Sequence, residues 1–435
     1  MIPITGPRGG PSDAAEAVPT LVLAFSDHGR GATERRRIPQ GGLVLGRGAA
    51  VFAEPFGDPR MSVRHAQIRV EAGRPFVRDL AGGGTRLNGD ALLGERALQA
   101  GDVLRLGDTL LVYAPSAAVT LPEPESELVG DSASLVAIRR SIELVALHKH
   151  TVVVTGETGT GKEVAARVVH QRSGRPGPFL AVNCGSFSHG LVPSDLFGHV
   201  RGAFTGAVSD EQGLFRAARG GTLLLDEVAE IPLGLQANLL RVLETREVRP
   251  VGSTRDVAVD VRVIATSNRE LMDLVKERSF RADLYSRLAQ WTIRLPPLRE
   301  RREDIPALTR NLLARCGAAG RALTSDLAEA LLLHDWPVNV RGLFNVLSIA
   351  AICAPPGEPL SLGEEVRSAL WTSRTLAPIP QERAPLVTDK AGLEQVLERF
   401  QGGVASAARH LGITRPRLYR LLRVQGVEPA AFRPS

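Results

Sequence analysis

The apolar run Val152-Val153-Val154-Thr155 leads into Gly156-Glu157-Thr158-Gly159-Thr160-Gly161-Lys162-Glu163, and a helical stretch follows. Strand, glycine-rich loop, lysine and helix in that order make a phosphate cradle. The glycines let backbone N–H groups curl around phosphate oxygens, and the helix N-terminus adds its positive dipole end. Lys162 supplies a mobile charge for the β and γ phosphates. Only four of the 53 basic residues are lysines, so a lysine at this place stands out from the arginine-rich background. A compact ammonium suits a tight phosphate site that a guanidinium does not. Glu163 stands where Ser or Thr commonly ligates Mg²⁺. Further on, Gly220-Gly221-Thr222-Leu223-Leu224-Leu225 is an apolar strand ending in Asp226-Glu227. There Asp226 is suited to hold Mg²⁺ through water, and Glu227 to orient and deprotonate an attacking water. The two segments together predict hydrolysis of a nucleoside triphosphate.

The elements that must position these groups are legible in outline. From about Leu128, helical stretches such as Ser134 to Leu147 alternate with buried strand runs at Thr151 to Thr155, Thr222 to Leu225 and Val261 to Ala265. That alternation predicts an α/β unit on a parallel sheet. Residues 303–370 read as mainly helical. Before this unit, residues 20–115 alternate short apolar runs with turns, including Leu21 to Phe25, Leu43 to Leu45, Ala66 to Val70 and Thr109 to Tyr113. Such spacing predicts a β-sandwich. Residues 116–127 and the Pro-rich 372–388 read as linkers, and a short all-helical module closes the chain.

Composition narrows the class. The 435 residues suggest about three domains. With 43% hydrophobic and 23% charged residues the chain is ordinary globular material, not disordered or fibrous. No apolar run approaches the ~20 residues of a membrane helix, and Met1 to Gly10 lack the apolar core of a secretory signal. Cys184, Cys316 and Cys353 fit no metal or disulfide spacing and read as reduced thiols, which with the absent signal predicts a cytoplasmic protein. The net charge is +6, and Leu386 to Ser435 carry eight Lys or Arg against four Asp or Glu. An anionic partner is therefore expected at the C-terminus.

Between the two phosphate-site segments lies Gly202-Ala203-Phe204-Thr205-Gly206-Ala207, an aromatic flanked by small residues and glycines. By itself it reads as an adaptable loop tip able to bury one ring in a partner. With the phosphate-site segments it resembles the AAA+ ATPase of sigma-54-dependent bacterial transcription activators. The resemblance extends through Leu196-Phe197-Gly198-His199 and Leu295-Pro296-Pro297-Leu298-Arg299-Glu300-Arg301, covers about residues 128–355, and accounts for Glu163. It implies ATP and Mg²⁺ as cofactors and a nucleotide site spanning Gly156 to Glu163, with Asn268 beside Ser267 at the sensor I position. Asn183 matches an asparagine that restrains the catalytic glutamate. Arg281 and Arg287 match arginine fingers acting on a neighbouring subunit, which implies assembly from a dimer to a hexameric ring. Arg341 matches a sensor II arginine of the helical lid. The loop Gly202 to Ala207 matches the contact with sigma-54 RNA polymerase holoenzyme. Val338, Gly342, Arg216 and Val200-Arg201 depart from the family's usual residues.

Residues 40–113 resemble a forkhead-associated (FHA) domain through Gly46-Arg47, Ser62-Val63-Arg64-His65, Asn88-Gly89 and Gly101 to Asp108. This implies a phosphothreonine site using Arg47, Ser62, Arg64 and Asn88, with His65 bracing the loops and a phosphothreonine protein or Ser/Thr-kinase substrate as partner. The segment Gly82-Gly83-Gly84-Thr85 is one residue shorter than the usual one. Gly403 to Val424 resembles a Fis-type helix-turn-helix for double-stranded DNA upstream of a promoter. Thr414 caps its second helix, which carries Arg415, Arg417, Arg420 and Arg423, with Leu418, Leu421 and Leu422 on the buried side. The expected order is an FHA sandwich (20–115), an α/β ATPase core (128–298), a helical lid (299–371) and the DNA module (389–430). The rivals are an AAA+ remodeller of another client, and a DNA-bound FHA adaptor or repressor with a silent ATPase.

Overall fold

The computed structural model describes residues 18–26, 34–49, 51–52, 55–115, 127–186, 192–375 and 390–400, with six further positions between 404 and 427. The chain divides into two compact units between Thr375 and Leu376.

The first unit opens with the expected sandwich. One sheet runs Arg35–Arg37, Thr20–Phe25, Thr109–Tyr113, Val103–Leu106, Thr85–Leu87, Asp90–Ala91, in that spatial order. The other runs Leu43–Leu45, Ala66–Glu71, Arg74–Asp79, Glu95–Ala97. All pairings in both sheets are antiparallel. Period-2 alternation sends Leu21, Leu23, Leu104, Leu106, Leu111 and Tyr113 into the space between the sheets.

The residues between them in sequence are also apolar. Val22, Ala24, Val103, Leu110 and Val112 point the other way, into a core shared with the helical lid. Helix Ile305–Arg315 lies over strand Thr20–Phe25, and helix Ser325–Leu333 over Val103–Leu106 and Thr109–Tyr113. An antiparallel sheet usually turns one face to water. This one is buried on both, so sandwich and lid share one apolar core. At its margin the strand Val103–Leu106 presents its one charged residue, Arg105, which donates to Asp326 Oδ1 (2.8 Å), Glu329 Oε2 (2.6 Å) and Ser325 Oγ (3.0 Å). Arg105 and Glu329 side chains are only 12% and 11% exposed.

The ATPase core is a five-stranded parallel sheet in the order Phe179–Asn183, Thr222–Asp226, Arg262–Ser267, Val152–Thr155, Trp291–Arg294. Alternate residues feed two cores. Leu223, Leu225 and Val263 face one layer of helices, while Leu224, Ile264 and Val154 face helices Ala133–Ala146 and Lys162–Arg172. The start of the lid is tied back to the start of the core by Asp304. This buried carboxylate accepts from Ser132 Oγ (2.6 Å), Ser132 N (2.8 Å) and Asp131 N (2.7 Å).

The last lid helix, Glu364–Thr375, runs into what the sequence predicts as linker from 372. The first proline there is Pro378, so nothing stops the helix before Thr375. In the second unit, helix Lys390–Arg399 buries Leu393 and Leu397 with Val404, Ala407, Leu418, Leu422 and Val427. Leu418 and Leu422 are thus on the expected buried side, whereas Leu421, Thr414, Arg415, Arg417, Arg420 and Arg423 lie outside the described residues.

If sandwich and lid form one cooperative body, Arg105 and Glu329 must be coupled. Arg105→Ala should lower the stability of the full chain by about 3 kcal/mol, because it strands a buried carboxylate. The Arg105→Ala/Glu329→Gln double variant should recover at least ~1 kcal/mol of that loss in a thermal-unfolding cycle. Strict additivity would mean that the sandwich is only tethered.

Candidate functional site

The nucleotide-facing residues gather where three parallel strands end side by side. Val152–Thr155 delivers the glycine loop, Thr222–Asp226 delivers the carboxylates, and Arg262–Ser267 lies between them. Crevices at the carboxyl ends of parallel strands are where such sheets bind ligands. The loop requires its glycine at Gly159, which has φ +79°. A Cβ there would meet the Val338 carbonyl at 2.1 Å, so the lid rests directly on the phosphate loop. Val340 N–H donates to Gly159 O at 3.0 Å.

Lys162 is 7% exposed and donates to the Gly156 and Glu157 carbonyls at 3.0 and 3.2 Å. Burial holds its ammonium below the ordinary lysine range, against the opposing pull of Glu227 and Asp226 and with the help of Arg341. Arg341 is therefore within electrostatic reach of the loop, as the sequence predicts, and its Cβ also crowds Gly159. Burial pushes the Glu227 carboxyl up; Lys162 opposes the shift and Asp226 adds to it. A raised carboxylate pKa suits a proton acceptor working near neutrality. Glu227 Oε2 is buried with no partner, an orphaned acceptor that a substrate water would satisfy. The buried ammonium, the tight loop and this orphan together fit a polyphosphate with its hydrolytic water. Asp226 Oδ2 accepts from Asn183 Nδ2 at 3.4 Å, and the Asn268 backbone N–H lies against the Glu227 carboxylate. Ser267 instead uses its hydroxyl on the following turn, donating to Arg269 O at 2.6 Å. Glu163 pairs with Arg167 on its own helix at 3.0 Å. Cys184 sits beneath the carboxylates, its thiol pushed up to about 12 by burial and their charge; it stays an inert thiol.

Residues without a role in the sequence reading hold the lid to the loop. Arg299 makes a two-pronged pair with Glu157 at 2.9 and 2.7 Å. Arg301 donates to Thr160 O at 3.0 Å. Asn339, fully buried at φ +52°, donates to Thr158 O (3.0 Å) and Glu157 Oε2 (3.2 Å) and accepts from Leu298 N (2.7 Å). Their signal was the motif Leu295 to Arg301 and the neighbourhood of Arg341, neither of which carries an assigned contact in the sequence.

The two candidate finger arginines are not part of this crevice. Arg287 accepts through its carbonyl from Thr151 Oγ1 at 2.6 Å and lines a cleft with Lys149, Thr151 and Arg246. That is the start of the strand whose far end enters the phosphate loop, about 16 Å along the chain. Arg281 is exposed and paired with Asp283 at 2.7 Å.

The segment Gly202 to Ala207 forms a turn closed by Gly202 N–H to Ala207 O (2.9 Å) and Ala207 N–H to Phe204 O (3.0 Å). Phe204 is half-buried with its ring centroid 5.0 Å from that of His199, whereas Thr205 is exposed. In the sandwich, Gly46 packs against the backbone, where a Cβ would sit 2.0 Å from Val63 O. Arg47 N–H donates to Ser62 O (3.0 Å), and Ser62 N–H to His65 Nδ1 (3.0 Å). His65 is buried under Gly84, which fits the bracing role expected of it. Arg47, Ser62 and Arg64 remain exposed around it. Asn88 is committed elsewhere: its amide donates to Asp102 Oδ1 (2.8 Å) and its carbonyl accepts from Val103 N (2.9 Å). It braces the neighbouring turn, and Gly89 beside it abuts Leu333 of the lid.

Family models match the chain in series. A sigma-54 interaction domain covers residues 128–294, an AAA+ ATPase lid domain 299–369, an FHA domain 43–107, and the Fis family of bacterial regulatory proteins 388–423. The transcriptional regulatory protein GlrR of Escherichia coli (strain K12) is 40% identical over 312 residues, 71% of this chain and 70% of GlrR. The chain belongs to the sigma-54-dependent transcription activators. The regulatory protein AtoC of Escherichia coli (strain K12) is similar at 39% identity, over 70% of this chain and 68% of AtoC. A crystal structure of NtrX from Brucella abortus in complex with ATP is similar at 32% identity and TM-score 0.50, over 70% of each chain. The central part of this activator is an AAA+ ATPase that binds ATP, and in sequence it lies between an FHA domain and a Fis-type helix-turn-helix DNA-binding domain. Among the described residues no helix is long and apolar enough to cross a membrane.

Asn339 offers a direct check of the lid contact in this activator. Asn339→Ala leaves Leu298 N–H and Thr158 O unpaired and places alanine at positive φ. It should cost about 2 kcal/mol of stability and raise the ATP KM about tenfold, with a smaller fall in kcat. Unchanged nucleotide affinity in a folded variant would show that the lid contact is idle.

Proposed function

We propose that the chain hydrolyses ATP between subunits of a ring and uses each cycle to drive the Gly202 to Ala207 turn against sigma-54 RNA polymerase holoenzyme, opening the promoter. The observation that carries this reading is the separation of parts on one ATPase core. The half-buried carboxylates converge on the buried Lys162 in one crevice, while Thr205 stands exposed on a turn outside it. In this reading Glu227 activates the attacking water and Asp226 holds Mg²⁺ through water. The metal supplies charge neutralisation on the phosphates. Gly156 to Glu163 cradle the phosphates, Asn183 and Asn268 orient the carboxylates, and Arg341 senses nucleotide from the lid. Arg287 sits at the start of the phosphate-loop strand, away from the loop, and this placement supports action on the neighbouring subunit's ATP, with Arg281 at the other end of the same short helix. Such fingers contribute about 10³–10⁵ in rate.

The flanking modules supply input and address. Arg47, Ser62 and Arg64 surround a phosphothreonine through charge-assisted bonds, with Asn88 bracing the adjacent turn. Thr414, Arg415, Arg417, Arg420 and Arg423 place a dimeric helix-turn-helix on duplex DNA upstream of the promoter.

Thr205→Ala and Phe204→Ala should abolish open-complex formation on a sigma-54 promoter while leaving at least half of the ATPase rate. Loss of both activities together, or normal transcription in both variants, would remove the turn from the polymerase contact and favour another client. Arg47→Ala should weaken binding of a phosphothreonine peptide about ten- to hundredfold, read by calorimetry with peptides selected from a phosphothreonine library. A library without phosphate-dependent binders would make the sandwich a docking module of another kind.

A further inference from the structure

Thr266 lies one residue before the expected sensor pair, and nothing in the sequence singles it out. It is fully buried near the end of strand Arg262–Ser267, between the strand that carries the carboxylates and the strand that enters the phosphate loop. Its single hydroxyl touches both acidic residues. Thr266 Oγ1 accepts from Glu227 N–H at 3.0 Å and donates to Asp226 Oδ1 in a short hydrogen bond. One hydroxyl has one proton to give; here it goes to Asp226, while a lone pair takes the Glu227 N–H. Glu227 is in the left-handed region at φ 55°, a conformation that a residue with a Cβ holds only when its surroundings impose it. The bond from its N–H to Thr266 is such a constraint, applied at the residue whose side chain must aim at the water. The adjacent hydroxyl cannot stand in, because Ser267 accepts from Arg269 N–H and donates to Arg269 O.

We infer that Thr266 is a positioning residue for ATP hydrolysis, its hydroxyl locking Asp226 and Glu227 into one rigid pair on the central strand. The inference rests on the roles proposed for those two carboxylates. It also explains how strand and site are coupled. Val154 of the phosphate-loop strand pairs with Thr266 in register, so the loop, the hydroxyl and both carboxylates belong to one hydrogen-bonded slab.

The test is steady-state ATPase of the full chain as Thr266→Val, Thr266→Ser, Glu227→Gln and the Thr266→Val/Glu227→Gln double variant, with binding of a fluorescent ATP analogue as the check on folding. Valine keeps the branched shape and removes the hydroxyl. It should lower kcat about ten- to a hundredfold, as misplacement of a catalytic group does. The ATP KM and analogue affinity should stay within about threefold of the parent. Serine should recover most of the rate. Adding Thr266→Val to Glu227→Gln should cost clearly less than Thr266→Val costs the parent, because only Asp226 is then left to position. Unchanged kcat in Thr266→Val, or serine no better than valine, or a KM rise at constant kcat, would overturn the inference. If valine does not bind the analogue, the serine variant decides: parental kcat with intact binding upholds the hydroxyl, and a valine-like loss rejects it. Full activity in Glu227→Gln would instead refute the role of Glu227 itself, whatever Thr266 does.

Discussion

A sheet that is apolar on both faces must be covered twice. The strands Thr20–Phe25, Val103–Leu106 and Thr109–Tyr113 send alternate residues into the sandwich and into the lid, and burying them accounts for the arrangement of the first unit. Each of the Val and Leu side chains among them would cost roughly 1.5–3 kcal/mol if returned to water. The lid is therefore held from outside by the sandwich and from inside by the phosphate loop, through Arg299, Arg301, Asn339 and the Val338 carbonyl. Moving the lid against the nucleotide moves the sandwich with it, because separation would expose the shared core and strand Arg105 and Glu329. The Asn88-Gly89 turn, one of the segments that mark the FHA module, abuts the lid residue Leu333. The FHA sandwich and the phosphate loop thus meet at one lid.

Inside the ATPase core a second constraint operates at smaller scale. Buried charge is tolerated only where it is answered. Lys162 is answered by two loop carbonyls and two nearby carboxylates, and Asp304 by the Ser132 hydroxyl and two backbone N–H groups. Glu227 Oε2 beside the phosphate loop is, by contrast, a buried carboxylate oxygen without a partner. An unanswered acceptor next to a buried ammonium is costly as pure scaffold, and that cost fits the role proposed for Glu227.

The sequence made the chemistry legible because phosphate binding demands particular residue types at fixed spacing: glycine where a Cβ would strike Val338 O, lysine where an ammonium must fit. The parallel sheet of the α/β core followed from alternating helices and apolar runs, and the sandwich from short strands between turns, but the order of the core strands was not legible. What stayed hidden was long-range. The second apolar face of Thr20–Phe25 was present as unbroken hydrophobicity, but period-2 reading assigns a strand to one core and does not say what covers its back. Asn339 and Thr266 are ordinary polar letters whose value comes from partners far away in sequence, Thr158 and Asp226. Asn88 read as a ligand residue because its motif says so, whereas its local hydrogen bonds spend the side chain on Asp102 and Val103 N. The helix to Thr375 overran its predicted end because the linker's prolines begin only at Pro378.

Everything from the phosphate loop to the exposed Thr205 turn is read as a motor for one polymerase. The direct measurement is open-complex formation on a supercoiled sigma-54 promoter with its upstream site, using purified chain and holoenzyme, scored by permanganate reactivity of the melted strand. With sigma-54 holoenzyme, melting should require this chain and hydrolysable ATP, and should vanish with a non-hydrolysable analogue. Primary-sigma holoenzyme on its own promoter should open equally with or without the chain. Melting by sigma-54 holoenzyme that is indifferent to the chain or to hydrolysis, or stimulation of the primary-sigma enzyme instead, would contradict the reading.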